Sequence, residues 1–464
     1  MKLIDPLHFI GIGGAGMSSL ALFFQAKGYQ VQGSDSTESS TLQMLREKGI
    51  SIFLGHAASS IEKSHTVIYS SAISPSNPEL QAAQENKRPL LHRSDLLALI
   101  IAEKKKSITV SGTHGKTTTS FLLTHILQAL GKNPSYIIGG QNLDTGSSCQ
   151  YNESSEYFVA ESDESDGSFL QYHPFGTIIT NIENDHLDHY KTISALETAF
   201  VQHIDHVQPN GFVATNPDYV NLVSIKQKTQ KPILTFGFSA QATLHIVDFY
   251  FQDGAMKVTL QSKTESCSFR LPLLGKHNVE NATAALLATT ALGIPLSEAA
   301  QTLSSFSGVK KRWETHYQDE NLIVIEDYAH NPGKIQAAVS TAKKAFSTRQ
   351  ILVLFQPHRF ARLETAFSEF TQSFLGADLV ITVPVFSVRD TASASAPYEQ
   401  LIEQITQASN VACFFAPDTQ TLTALLSQHV QKPTLLLCVG AGDIHKLAWL
   451  AKDHICEEIR KENS

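Results

Sequence analysis

The sequence predicts an α/β protein of three domains in a row. These are a Rossmann-like N-terminal domain over 1–105, a central P-loop ATPase-like α/β domain with an added β-hairpin over 106–310, and a Rossmann-like C-terminal domain over 311–464. Three observations carry this. The 464 residues exceed what one hydrophobic core serves, since cores stop growing at about 250–300 residues. Short apolar runs alternate with helical patterns along most of the chain, the signature of βαβ units and parallel sheets. Many of those runs end in Gly-, acid-, His- or Arg-bearing turns, where open parallel sheets bind ligands.

The first segment opens on His8-Phe-Ile-Gly-Ile-Gly-Gly-Ala-Gly16, an apolar strand running into G-x-G-x-x-G (Gly11, Gly13, Gly16). A helical pattern follows from Met17 to Lys27, then a second strand, Tyr29-Gln-Val-Gln32, ending at Gly33-Ser-Asp35. The glycines suit a tight turn, the helix N-terminus suits a diphosphate, and the carboxylate falls where a ribose is held. A further strand, Thr66-Val-Ile-Tyr69, ends in Ser70-Ser71. This layout binds diphosphates without specifying nicotinamide, so an NAD-dependent oxidoreductase and a sugar-nucleotide binder both fit this domain alone.

The second segment places Ser111-Gly-Thr-His-Gly-Lys-Thr-Thr-Thr119 between a strand and a helix running from Ser120 to Gly131. That is the position of a phosphate loop, but the standard motif has four residues between its first Gly and Gly-Lys. Here only Thr113 and His114 separate Gly112 from Gly115. Next, Tyr157-Phe-Val-Ala-Glu161-Ser-Asp163-Glu164-Ser-Asp166 runs from apolar to acidic, as a magnesium-holding strand end does. Thr177-Ile-Ile-Thr180 leads into Asn181-Ile-Glu-Asn-Asp-His186-Leu-Asp-His189. Three consecutive strands thus end in Lys/Thr, Glu/Asp and His/Asp, and in a parallel sheet those ends share a rim. Taken singly, each run reads equally well as a solvated loop; together they make the short loop a genuine variant. As an exposed loop lysine, Lys116 is expected to add little to stability.

From Leu244 to Phe269 the pattern alternates, with Asp253-Gly254 as the turn between two candidate strands. The run Leu273-Leu-Gly-Lys-His277-Asn278-Val-Glu-Asn281 then enters an Ala/Leu-rich helix. In the third segment, Leu322-Ile-Val-Ile-Glu-Asp327 runs into Tyr328-Ala-His330-Asn331-Pro332, and Ile351 to Phe355 into Gln356-Pro-His358-Arg359-Phe-Ala-Arg362. Leu379 to Val383 leads toward Arg389-Asp390. Paired arginines at a strand end suit a carboxylate, which a guanidinium grips in a fork, although plain surface charges read the same way.

The formal net charge of −8, from 36 basic and 44 acidic residues, argues against non-specific nucleic-acid binding. No apolar run is long enough to span a membrane, and the first residues lack the apolar core of a signal peptide. The five cysteines are scattered without a C-x-x-C pair, so buried free thiols in a reducing, cytoplasmic setting are expected rather than a zinc site.

Together these motifs resemble the Mur ligase family over nearly the whole chain and in order. The family's short ATP loop, G-T-[NH]-G-K-T-T, is matched by Gly112 to Thr118. Glu161, the D-H-x-D run around His186, His277-Asn278 with Asn281, Arg312, and Asp327-Tyr-Ala-His330-x-Pro332 also match. Within the family the chain is most similar to members that add L-alanine to UDP-N-acetylmuramic acid.

The resemblance implies an ATP-dependent carboxylate–amine ligase of peptidoglycan precursor synthesis, working through an acyl phosphate. Lys116, Glu161 and His186 would be catalytic. Gly112, Thr113, His114, Gly115, Lys116, Thr117, Thr118, His277, Asn281, Arg312 and Asp327 would contact ATP. Thr117, Glu161 and His186 would hold Mg2+. Gly13, Gly14, Ala15, Gly16, Asp35, Ser70 and Ser71 would hold the UDP-sugar, and Tyr328, His330, Arg359 and Arg362 would form the alanine pocket. Because these groups fall on separate domains, closure is expected. The alternatives are a ligase that adds a recycled tripeptide to the same sugar nucleotide, a folylpolyglutamate-type ligase, the oxidoreductase, and a non-catalytic UDP-sugar sensor.

Overall fold

The computed structural model describes residues 3–183, 187–219, 225, 228–387, 398–430 and 433–462. It contains three sheets. The first holds β1 (Leu7–Ile10), β2 (Val31–Asp35), β3 (Ser51–Leu54), β4 (Thr66–Tyr69) and β5 (Leu90–His92), all parallel, in the order β3-β2-β1-β4-β5. The strand order reverses between β1 and β4, and the glycine loop leaves β1 at that switch point, where such sheets bind ligands. The second strand starts at Val31, two residues later than the Tyr29 expected from sequence, and runs on to Asp35. Tyr29 instead packs its ring against Phe24 of the helix Ala15–Ala26, 5.5 Å between centroids.

The central sheet holds β6 (Lys106–Ser111), β7 (Ser135–Ile137), β8 (Cys149–Gln150), β9 (Tyr157–Glu161), β10 (Gly176–Ile179), β11 (Phe212–Thr215), β12 (Ile233–Gly237), β13 (Leu244–Gln252), β14 (Ala255–Gln261) and β15 (Ser266–Leu271). Its order is β15-β14-β13-β12-β11-β10-β6-β9-β7-β8. β6 lies between β9 and β10, with Val110 level with Glu161 and Ser111 level with Ile179. The three strand ends read from sequence therefore share one rim, but the strands are not consecutive as expected: β7 and β8 intervene along the chain between β6 and β9. The hairpin turns at Asp253-Gly254, both at positive φ (50° and 74°), as a tight two-residue turn requires. A third strand, β15, adds to the expected pair, and β12 joins β13 in parallel.

The chain divides into two compact units, Met1–Pro272 with Asn278–Ser307, and Leu273–His277 with Gly308–Ser464. The first two sheets belong to one unit and share a core: Phe23 packs edge-on against Phe158, and both are buried.

The second unit carries β16 (Glu314–Gln318), β17 (Leu322–Asp327), β18 (Gln350–Phe355), β19 (Leu379–Thr382), β20 (Ala412–Phe415) and β21 (Thr434–Val439). The order is β16-β17-β21-β18-β19-β20, parallel except for the edge strand β16. One face packs on the helix Pro332–Ala345 and the other on the helix Ile444–Glu462. Both faces being covered explains the continuous apolar runs. Arg389 and Asp390 lie outside the described residues. Cys413 and Cys438 are buried; Cys149, Cys267 and Cys456 are half-buried, and all five are free thiols. Among the described residues no helix is long and apolar enough to cross a membrane.

Candidate active site

The phosphate-type loop leaves β6 and closes at the helix Lys116–Ala129. Gly112 (φ 121°) and Gly115 (φ 86°) take left-handed backbone, and each is also crowded. A Cβ on Gly112 would lie 2.3 Å from Thr180 Oγ1, and one on Gly115 would lie 2.4 Å from Asn281 Oδ1. Only glycine fits both positions. The loop is braced from β10. Thr113 N donates to Asn181 O (3.1 Å), and His114 N donates to Asn181 Oδ1 (2.8 Å). His114 O accepts from Thr180 Oγ1 (2.6 Å) and Asn181 Nδ2 (3.0 Å). The backbone is thereby fixed with the helix N-terminus open to an anion. Thr118 lies buried in the first turn of that helix.

Lys116 and Thr117 meet the acids of β9 and the loop after it. Lys116 Nζ donates to Gly112 O (2.7 Å) and to both Glu164 oxygens (3.0 Å each). Burial opposes its charge, but the carboxylates of Glu164, Asp163 and Glu161 outweigh that and hold its pKa above the ordinary lysine value. Lys116 is thus not the exposed loop lysine expected from sequence: its side chain is 13 % exposed and paired with a carboxylate that is 1 % exposed. Glu161 Oε2 accepts from Thr117 Oγ1 (3.0 Å) and Gly139 N (2.9 Å). A hydroxyl and a carboxylate side by side are the hard oxygen donors that magnesium takes, so these residues fit that ion. Asn281 is buried behind the loop, accepting from Thr119 Oγ1 (3.2 Å) and donating to Asn278 Oδ1 (3.2 Å). His186 lies outside the described residues.

The glycine loop of the first sheet is joined to this rim within the same unit. Gly13 N donates to Asp35 Oδ2 (2.9 Å), so the carboxylate expected near a ribose also ties the β2 end to the loop. Gly14 caps the helix that begins at Ala15, and both residues are exposed. Arg93 stands beside Gly16: a Cβ there would lie 3.0 Å from its NH1. Its NH2 lies 3.8 Å from Asp163 and 3.7 Å from Asp166. Ser71, following half-buried Ser70, donates to Asp166 Oδ2 (2.8 Å). Burial raises the Asp166 pKa, but the Ser168 and Ser71 hydrogen bonds and Arg93 bring it down to about 2.

The second unit gathers its own cluster at the ends of β17 and β18. Asp327 accepts from Trp313 N (2.9 Å) and Ala329 N (2.8 Å). Burial raises its pKa, opposed by Arg312 and those two amides. The Arg312 guanidinium lies over the Tyr328 ring at 4.8 Å, Tyr328 meets His330 edge-on at 5.0 Å, and His330 lies 5.9 Å from His358. Arg362 NH1 lies 3.1 Å from His358 Nδ1. Burial, with Lys334, Arg362 and Arg312 nearby, pushes the His330 pKa down to about 2. Neutral His330 donates Nδ1–H to Tyr328 O (2.8 Å), which leaves Nε2 as an acceptor. Arg359 is exposed at φ 65°, a left-handed backbone uncommon outside glycine and found often at functional sites. His277, at an exposed position, belongs to this unit, with its ring beside Gly275.

The structure gathers Lys116, Thr117, Glu161 and Asn281 around one loop, and Arg312, Asp327, Tyr328, His330 and Arg362 in one cluster, whereas the sequence reading had assigned Arg312 and Asp327 to ATP with the loop and Tyr328, His330 and Arg362 to the alanine pocket. The sequence reading also missed Asn181 and Arg93. Asn181 had a signal in its position one residue beyond a rim strand's last Thr; Arg93 had none, because its partners come from the other sheet.

Comparison with known proteins gives the family. A model described as the Mur ligase family catalytic domain matches residues 6–105, the Mur ligase middle domain matches 110–289, and the Mur ligase glutamate ligase domain matches 311–442. A Solidesulfovibrio magneticus protein named UDP-N-acetylmuramate–L-alanine ligase is 35 % identical over 98 % of this chain and 99 % of its own. A Brucella ovis protein of the same name is 35 % identical over 99 % of each chain. The crystal structure of a UDP-N-acetylmuramate-alanine ligase from Thermotoga maritima superposes with a TM-score of 0.81 at 28 % identity, covering 98 % and 99 % of the two chains. A murein peptide ligase from Psychrobacter arcticus shares the fold at a TM-score of 0.68 and 23 % identity. With three family models matched in chain order and relatives aligned over nearly their whole length, this chain belongs to the Mur ligase family.

Proposed function

We propose that this protein is an ATP-dependent ligase that joins L-alanine to the lactyl carboxylate of UDP-N-acetylmuramic acid, in the cytoplasmic synthesis of peptidoglycan precursors. The observation that carries the reading is the short loop with Lys116 and Thr117 set against Glu161, in a chain whose full-length relatives bear that enzyme's name. The tripeptide-adding alternative has less support, resting on relatives at 23 % and 25 % identity, against 35 % for relatives named as alanine ligases.

In this reading residues 1–105 hold the UDP-sugar, 106–310 hold ATP and 311–464 hold alanine. The sugar's carboxylate oxygen attacks the γ-phosphorus and ADP leaves. The amino group of alanine then attacks the acyl phosphate carbon; an amide forms, phosphate departs and the amine loses a proton. Positioning and charge neutralisation are what the protein supplies. Lys116 carries positive charge to the β/γ-phosphates, and the open N-terminus of the helix Lys116–Ala129 receives them. Thr117 and Glu161, with His186, would hold magnesium, which offsets phosphate charge when bound. Arg312 and Asp327 serve ATP; Arg359 and Arg362 grip the alanine carboxylate, and His330 Nε2 accepts from its amine.

Phosphate release from ATP tests this. It should require both UDP-N-acetylmuramate and L-alanine. Release that is independent of the sugar nucleotide would remove the ligase reading.

A further inference from the structure

Away from the loop and its rim, a second cluster of metal-type donors lies on the edge of the second unit's sheet. Glu314 stands directly opposite Glu326 in the antiparallel pairing of β16 with β17. Their side chains leave the same face, and like charges placed that way repel. His316 sits at the irregularity between Thr315 and Tyr317, and its ring lies between the two acids. Its Nε2 is 2.6 Å from Glu326 Oε2 and its Nδ1 is 3.9 Å from Glu314 Oε1. One ligand atom from each of the three residues lies within 4.8 Å of the others.

A second observation points to a ligand. Glu326 is 1 % exposed, and its Oε1 is buried without a hydrogen-bond partner among the described residues. His445, at the start of the helix that covers this face, interacts electrostatically with Glu326, and its Nδ1 is likewise buried without a partner. Buried acceptors are ordinarily satisfied, so an orphan beside a His/Glu cluster calls for a partner. The donors are two carboxylates and an imidazole. Imidazole suits zinc-like ions, whereas magnesium prefers oxygen and water.

We propose that Glu314, His316 and Glu326 form a binding site for one divalent transition-metal ion of the zinc type, separate from the magnesium position at Thr117 and Glu161. The ion replaces the proton between His316 and Glu326, and that proton leaves to solvent. It ties the edge strand β16 to β17, one residue before Asp327. The proposal is independent of the ligase reading.

The test uses the full chain, stripped with chelator and titrated with Zn2+ by calorimetry without nucleotide. The Glu161→Gln variant is run in parallel. One zinc should bind to both. His316→Ala and Glu314→Gln should lose it or weaken it at least about tenfold. Co2+ should give a visible absorption band in the parent that both variants lose. Unchanged zinc affinity and stoichiometry in Glu314→Gln would overturn the proposal, as would loss confined to Glu161→Gln or no zinc binding by the parent. Should His316→Ala fail to fold, Glu314→Gln, at the half-buried edge, gives the decision alone.

Discussion

Lys116 Nζ is held 3.0 Å from each carboxylate oxygen of Glu164, a residue with 1 % of its side chain exposed. The cation that ATP would meet is therefore already committed to a buried partner. Lys116→Ala should lower kcat by about 10²–10³, the usual loss of one charge-stabilising donor. It should also destabilise the protein by about 3 kcal/mol, because it leaves Glu164 buried without its cation. Adding Glu164→Gln should restore most of the stability and none of the activity. Denaturant melts and single-turnover assays on the three variants check this; full stability in Lys116→Ala alone would contradict it.

Gly115→Ala tests the loop itself. At φ 86°, with a Cβ 2.4 Å from Asn281 Oδ1, the substitution forces the loop or Asn281 to move. The left-handed backbone alone costs about 1–2 kcal/mol. ATP affinity by calorimetry should fall at least about tenfold, with UDP-sugar affinity unchanged. Unaltered ATP binding would show that the loop does not carry the phosphates.

The legible part of the fold was the part with strong periodicity and glycine punctuation: the three sheets, the short loop and the hairpin. Strands sharing a rim could be read because each ended in polar residues. Lys116 and Thr117 were legible from their place between a strand and a helix, and their roles from the family resemblance. Glu164 could not be distinguished from Asp163 or Asp166 in one acidic run, since only the turn after β9 decides which carboxylate points at the lysine. Glu314, His316 and Glu326 were invisible for a related reason. Their proximity depends on the β16–β17 register and its irregularity, which no local pattern reveals.

The Ser71–Asp166–Arg93 contacts give a pH-dependent contribution. The Asp166 carboxyl titrates near 3.8 unfolded and about 2 folded. A depressed carboxylate pKa stabilises the fold above the unfolded value and loses that effect as pH falls toward the folded one. Discounted for its partly open setting, the contribution is about 1 kcal/mol. Asp166→Asn should therefore be less stable than the parent by a constant amount from pH 8 to 5, with the gap narrowing below pH 4. A gap that widens in acid would reverse the assignment.

Arg359→Ala should raise KM for the amino acid by about 2–3 kcal/mol of lost charge-assisted hydrogen bonding, with KM for ATP and sugar unaffected. Initial-rate kinetics in each substrate separate these. Equal increases in all three would point to damage elsewhere.

The central claim is the identity of the amino acid joined to UDP-N-acetylmuramate, and mass spectrometry of the product tests it most directly. The enzyme is incubated with ATP, magnesium and the sugar nucleotide, and with L-alanine, L-serine, glycine, D-glutamate, diaminopimelate or an intact murein tripeptide. A small pocket rejects large side chains by clash but discriminates one methylene by only about 1–3 kcal/mol. L-Alanine should give the main adduct, L-serine and glycine weaker ones, and the dicarboxylates and tripeptide none. A preferred D-glutamate or tripeptide adduct would contradict the account.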